Sequence, residues 1–230
     1  MIDHVHDLAS VREATDRLIA AVSSWDNAAL AEPSRLPGWT RGHVLAHVAR
    51  NADALVNVLQ GLPMYKDGAT RDADIERDAT RPLDVQIADL RATADRFQAV
   101  GEEPADWNRT VELRNGVTDS ASRVPFRRWV EVALHHVDLG AGYELEDLPE
   151  EFLLREIDFL ADRWSGRPDV PPVTLRSADG RDLGTTGGTE GDPVTVEGSL
   201  GELLGWLAGR GDRGAGLVTK GGPLPELPPL

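Results

Sequence analysis

The 230-residue chain contains no cysteine. That absence excludes disulfides, iron–sulfur clusters, thiolate zinc sites and any cysteine nucleophile of the chain's own, so a thiol taking part in its chemistry has to arrive from outside. Positive charge is also scarce: 24 lysines and arginines stand against 39 aspartates and glutamates, for a formal net charge of −15. A field of that sign repels phosphate backbones and anionic lipid surfaces unless a basic patch is concentrated locally. The arginines instead lie among carboxylates, as in RDADIERD at 71–78, and read as a solvated surface of mixed sign. Neither nucleic acid nor membrane is an expected partner. No run approaches the ~20 apolar residues of a membrane span, and MIDHVHDLASVRE has no basic segment leading into an apolar one, so the cytoplasm is the expected location.

Helical periodicity fills the first two thirds. Leu8, Val11, Thr15, Leu18, Ile19 and Val22 form one apolar stripe over about 7–25, with His4 and His6 expected in a frayed, solvent-exposed end. Thr40 is a candidate N-cap for a second helix whose apolar positions run from Val44 to Leu59 and which carries His43 and His47. After a polar loop with Pro63 and Gly68, a third helix starts near Pro82 and repeats Leu83, Ile87, Leu90, Ala94 and Phe97. Gly101, Pro104 and Gly116 mark an irregular segment before a fourth helix with Phe126, Trp129, Val130, Ala133 and Val137 on its apolar side, and a fifth spans Pro149 to Trp164. The composition then turns to Gly, Pro and β-branched residues. Short strands are expected at Val173–Leu175, Arg181–Leu183, Val194–Val196 and Leu217–Thr219, and Ser199 with Glu202 is a capping box for a last helix to Arg210. The proline-rich end, 223–230, reads as an extended tail. The expected fold class is α+β: a helical bundle over 1–165, then a small α+β domain over 166–230. No dimer stripe is recognisable, which makes a monomer the expected state.

Residues four apart on a helix share a face, so Glu131 and His135 offer two ligands for one ion, and His47 supplies a third if its helix lies antiparallel alongside. Two histidines and a carboxylate suit zinc, and three protein ligands leave a fourth position open, as in catalytic sites. Spacing alone leaves alternatives: His43 and His47 form another pair, and His135 adjoins His136, although neighbours on a helix point about 100° apart. His43 and His136 are expected beside the ligands rather than among them. The glycine-rich TTGGTEG at 185–191 lacks the Lys-Ser/Thr ending and following helix of a phosphate cradle and reads as a loop.

The stretches LPGWTRGHVLAHVARNADAL at 36–55, PMY at 63–65 and RRWVEVALHHVDLG at 127–140 resemble the mycothiol-dependent maleylpyruvate isomerases, in order and spacing over nearly the whole chain. The resemblance implies a DinB-like four-helix bundle holding Zn2+ through His47, Glu131 and His135. It further implies a small C-terminal domain that closes the active-site cleft and supplies Arg210, in LAGRGD, to pair with a substrate carboxylate. The implied cofactors are zinc and mycothiol. The implied reaction turns maleylpyruvate into fumarylpyruvate by thiolate addition, bond rotation and elimination. A mycothiol S-transferase acting on another electrophile, and a non-catalytic zinc-binding interaction module, are the alternative readings.

Overall fold

The computed structural model describes residues 3–103 and 105–228, so Pro104 and the last two residues of the tail lie outside it. The chain divides into two compact units, Met1–Tyr143 and Glu144–Leu230. Among the described residues, no helix is long and apolar enough to cross a membrane.

In the first unit, four long helices form the bundle: α1 (His4–Val22), α2 (Arg41–Leu59), α4 (Leu83–Glu102) and α5 (Val124–Asp138), with α3 (Gly68–Ala79) between α2 and α4 in the chain. Helix α1 packs on α4 and α5, and α2 packs on the same two from the other side, which closes a four-helix ring. The apolar stripes legible in the sequence face inward, with Leu18, Leu45, Leu55, Leu90 and Phe97 fully buried. Asp3 caps α1 by accepting from the backbone of Val5 and His6, so His4 and His6 lie in an ordered first turn rather than a frayed end. His4 stacks on Trp107 with ring centroids 4.3 Å apart, while His6 remains exposed.

Two features depart from the sequence reading. The expected polar loop after Pro63 contains α3, capped by Asp67 and packed on α2. Its Asp78 is buried and receives Arg77 at 2.8 Å and Arg81 at 2.6 Å, so RDADIERD is not uniformly a solvated surface. Between α4 and α5, a small hairpin pairs β1 (Thr110–Glu112) with β2 (Thr118–Ser120) around Asn115 and Gly116, both at positive φ.

The second unit begins before the helix α6 (Glu150–Trp164). Helix α6 packs on α7 (Leu200–Ala208) and on β4 (Asp182–Thr186), so it belongs with the C-terminal elements and the packing divides one helix earlier than the expected boundary after 165. The sheet order is β4, β3 (Val173–Ser177), β5 (Val194–Gly198), β6 (Val218–Lys220), with β3 and β5 parallel and the outer pairs antiparallel. The capping box of Ser199 and Glu202 opens α7, and Gly209 ends it in the left-handed region. Thr185 and Thr186 lie in β4, and the loop reading of TTGGTEG holds only from Gly187 onward. Trp206 Nε1 donates to the Pro225 carbonyl at 3.0 Å, which ties the tail to α7.

Candidate metal centre

Because α2 and α5 pack against each other, His47 on α2 meets Glu131 and His135 on α5. One ligand atom from each of the three lies within 4.8 Å of the others. Glu131 Oε2 is 3.0 Å from His47 Nε2 and 3.3 Å from His135 Nε2, and the two imidazole rings meet edge to face with centroids 4.6 Å apart. The geometry selects this trio from the combinations that spacing left open. His43 turns aside, its Nδ1 2.8 Å from Thr40 Oγ1 in the α2 capping box and its Nε2 3.3 Å from Glu76. His136 stacks on Tyr143, with centroids 4.1 Å apart.

Burial alone would lift the Glu131 carboxyl, but hydrogen bonds from His135 and His47 and their charge hold it well below the usual carboxylate range. Burial also dominates at His47 and pushes its pKa down, against the pull of Glu131. At His135 burial is outweighed by the hydrogen bonds to Asp138 and Glu131, and the pKa rises. Both histidines are buried, whereas the Glu131 side chain remains one third exposed, 33%, and marks the side from which a ligand reaches the centre. A partly exposed carboxylate between two buried imidazoles fits a divalent zinc ion with an open position: the donor types are right, and each ring has Nε2 toward the carboxylate.

Five neighbours shape the centre, and the sequence reading assigned a role to none of them. Asp138 Oδ2 accepts from His135 Nδ1 at 2.8 Å and fixes that ring's tautomer. Its signal was present: it lies three residues after His135, on the same helical face. Arg128, fully buried on α5, donates from Nη1 to the Val48 carbonyl and to Asn51 Oδ1, both at 2.8 Å, and so pins α5 to α2 one turn before Glu131. Burial pushes its pKa down to about 10, which leaves it cationic at neutral pH. Trp39 covers His47, with centroids 5.4 Å apart. Arg71 reaches from α3 to put Nη2 3.2 Å from His47 Nδ1. Tyr65 lies near both Arg71 and Glu131. Burial and the Glu131 charge raise its hydroxyl pKa while Arg71 opposes them. Tyr65 also lines a cleft of about 650 Å³ with Val58, Arg109, Val111 and Arg114.

The expected Arg210 stands half-buried just beyond α7, its backbone N–H donating to the Gly205 carbonyl at 2.7 Å and its Nη1 3.3 Å from the Ala208 carbonyl.

The fold is a four-helix bundle that brings two histidines and a glutamate together from two of its helices, followed in the chain by a small α+β unit. Residues 11–140 match the mycothiol maleylpyruvate isomerase N-terminal domain and residues 147–229 match the C-terminal domain of the same family. The chain therefore belongs to the mycothiol maleylpyruvate isomerase family and is an isomerase enzyme. The crystal structure of the mycothiol-dependent maleylpyruvate isomerase is similar at 29% identity and TM-score 0.85, covering 99% of this chain and 97% of that one. A histidine-to-alanine mutant of that isomerase matches equally well. No curated protein matches the chain significantly.

Proposed function

We propose that this chain is a zinc- and mycothiol-dependent cis–trans isomerase that converts maleylpyruvate to fumarylpyruvate, with His47, Glu131 and His135 as the metal ligands. The observation that carries the reading is the convergence of those three side chains within 4.8 Å in a family of thiol-dependent isomerases. When bound, the zinc supplies the charge that makes an external thiol a thiolate near neutral pH, which replaces the cysteine the chain lacks. The reaction is conjugate addition of that thiolate to the cis double bond, rotation about the resulting single bond, and elimination that returns the thiol unchanged.

The chain's own side chains orient and hold. Asp138 accepts from His135 Nδ1 and so favours the tautomer in which Nε2 would hold a metal. Arg128 fixes the register of α5 on α2, so Glu131 and His135 face His47. Trp39 and the apolar packing around Ala46, Ile75 and Ala79 keep water from the His47 side. Arg210 is assigned to a substrate carboxylate, which its planar fork matches in charge and shape.

The test is metal content of purified wild type, His47→Ala and Glu131→Ala, with maleylpyruvate turnover measured with and without catalytic mycothiol. One zinc per chain, lost in both variants together with thiol-dependent turnover, is the expected result. Zinc with a thiol consumed stoichiometrically by another electrophile would move the activity to an S-transferase, and a zinc-free wild type would overturn the metal site.

A further inference from the structure

The cleft beside Tyr65 is larger than the acidic substrate requires. Clefts of about 300–1,000 Å³ take drug-sized ligands, and this one, about 650 Å³, is wider than a short open-chain diacid fills. Two segments of the first unit wall it. One is the run from Gly61 to Gly68, which leaves the end of α2 and enters α3. The other is the hairpin β1–β2, whose turn at Asn115 and Gly116 presents Arg114. The hairpin is anchored, because Arg109 donates from Nη2 to the Leu59 carbonyl at the end of α2 and from Nη1 to the Asp106 carbonyl at 2.9 Å. Arg109 thereby serves the scaffold. The side chains of Glu112 and Arg114 are exposed, and neither has a hydrogen-bond or ion-pair partner among the described residues.

The charges of the lining decide what fits. Asp67 and Glu112 line the cleft together with Arg109 and Arg114, so the two signs balance, and in a chain of net charge −15 nothing there favours a dianion. Donors on Arg114 beside an acceptor on Glu112 suit hydroxyl groups instead, since each hydroxyl both donates and accepts. At Tyr65 the cleft meets the metal centre. Tyr65 neighbours Glu131, and Arg71, 5.8 Å from the Tyr65 ring centroid, places Nη2 3.2 Å from His47 Nδ1. A neutral, polyhydroxylated ligand lying in the cleft can therefore bring one end to the trio. We propose that this cleft holds the sugar body of the thiol, the glucosaminyl-inositol of mycothiol, with Glu112 and Arg114 bonding its hydroxyls while its sulfur reaches the trio past Tyr65. This rests on the thiol-dependent reading above. The hairpin then selects the thiol, and the cleft takes no part in holding the carboxylates of the acidic substrate.

The test is calorimetry with S-methyl mycothiol, whose methylated sulfur cannot ionise, on wild type, Arg114→Ala, Glu112→Ala and Gly68→Trp. Hydrogen bonds to charged groups are strong enough that each of the first two variants should bind it about tenfold weaker. Gly68 lines the cleft and a β-carbon there meets nothing within 4 Å, so the indole should be tolerated by the fold and weaken binding at least as much. In turnover, the KM for mycothiol should rise about tenfold in Arg114→Ala while the KM for maleylpyruvate and the zinc content stay at their wild-type values. Wild-type affinity for S-methyl mycothiol in both hairpin variants, or a wild type that does not bind it, overturns the proposal. So does a rise confined to the KM for maleylpyruvate, which would give the cleft to the substrate. If the hairpin variants lose their thermal midpoint, wild-type affinity in Gly68→Trp overturns it instead. Wild type that turns over maleylpyruvate with mycothiol while every variant keeps its affinity for S-methyl mycothiol would sink this inference alone. The predicted losses of affinity in a protein that holds no zinc, or that turns over no maleylpyruvate, would sink the functional reading alone.

Discussion

Asp138 sits buried three residues after His135, and its Oδ2 accepts from His135 Nδ1 at 2.8 Å. Nothing in that contact touches a substrate, yet it decides which nitrogen of His135 is free to ligate. Replacing the carboxylate by an amide keeps the size but lets an N–H donor face Nδ1 in one of the two amide orientations, and it removes the charge that raises the His135 pKa. Removing such a partner typically costs about 10–100-fold in metal affinity. Asp138→Asn should therefore fall in that range by chelator competition while retaining the wild-type helical content, and an unchanged zinc affinity would show that the α5 backbone alone orients His135. The residue scale also separates what was legible from what was not. The three proposed ligands were suggested by an i, i+4 pair, which is local, and singled out only by the family resemblance, since spacing alone left other histidines open. The contact of Arg71 with His47 joins residues 24 apart across two helices, and no local pattern announces it.

Helix α3 shows the same limit at the scale of an element. The bundle helices α1, α2, α4 and α5 each display an apolar stripe, and α6 and α7 likewise, so their periodicity was readable. Helix α3 buries only Ile75, Asp78 and Ala79, and with so little apolar surface its sequence looks like a solvated loop. What holds it is the ion cluster on Asp78, which includes Arg50 from α2 at 3.6 Å, and a close backbone approach. A β-carbon on Gly42 of α2 would lie 2.3 Å from the Ala79 carbonyl oxygen at the end of α3. Gly→Ala inside a helix ordinarily gains roughly 1 kcal/mol. Here backbone has to move, at a cost of about 1–3 kcal/mol or somewhat more, and the clash should win. Gly42→Ala is expected to lower stability in urea unfolding. A variant as stable as wild type would mean that α3 is not fixed by this approach. The hairpin β1–β2 was hidden for a simpler reason: strands of three residues are too short to show alternation.

For the molecule as a whole, the division at Tyr143 assigns the parts unequally. The three proposed ligands, the two arginines Arg71 and Arg128, and Asp138 all belong to the first unit, which also has its own apolar core around Leu18, Leu45, Leu55, Leu90 and Phe97. The second unit holds Arg210 and a sheet whose parallel pair β3–β5 is covered by α7. A unit of this size with a complete core is large enough to fold alone. The fragment Met1–Tyr143 should accordingly keep a helical far-UV spectrum and bind one zinc with an affinity close to that of the full chain. It should lose maleylpyruvate turnover, because the proposed carboxylate partner Arg210 is gone. Circular dichroism and metal analysis of the fragment beside the full chain would decide this. A helical fragment that fails to hold zinc would show that the first unit does not hold the metal on its own, and a fragment that still turned over substrate would remove Arg210 from the reaction.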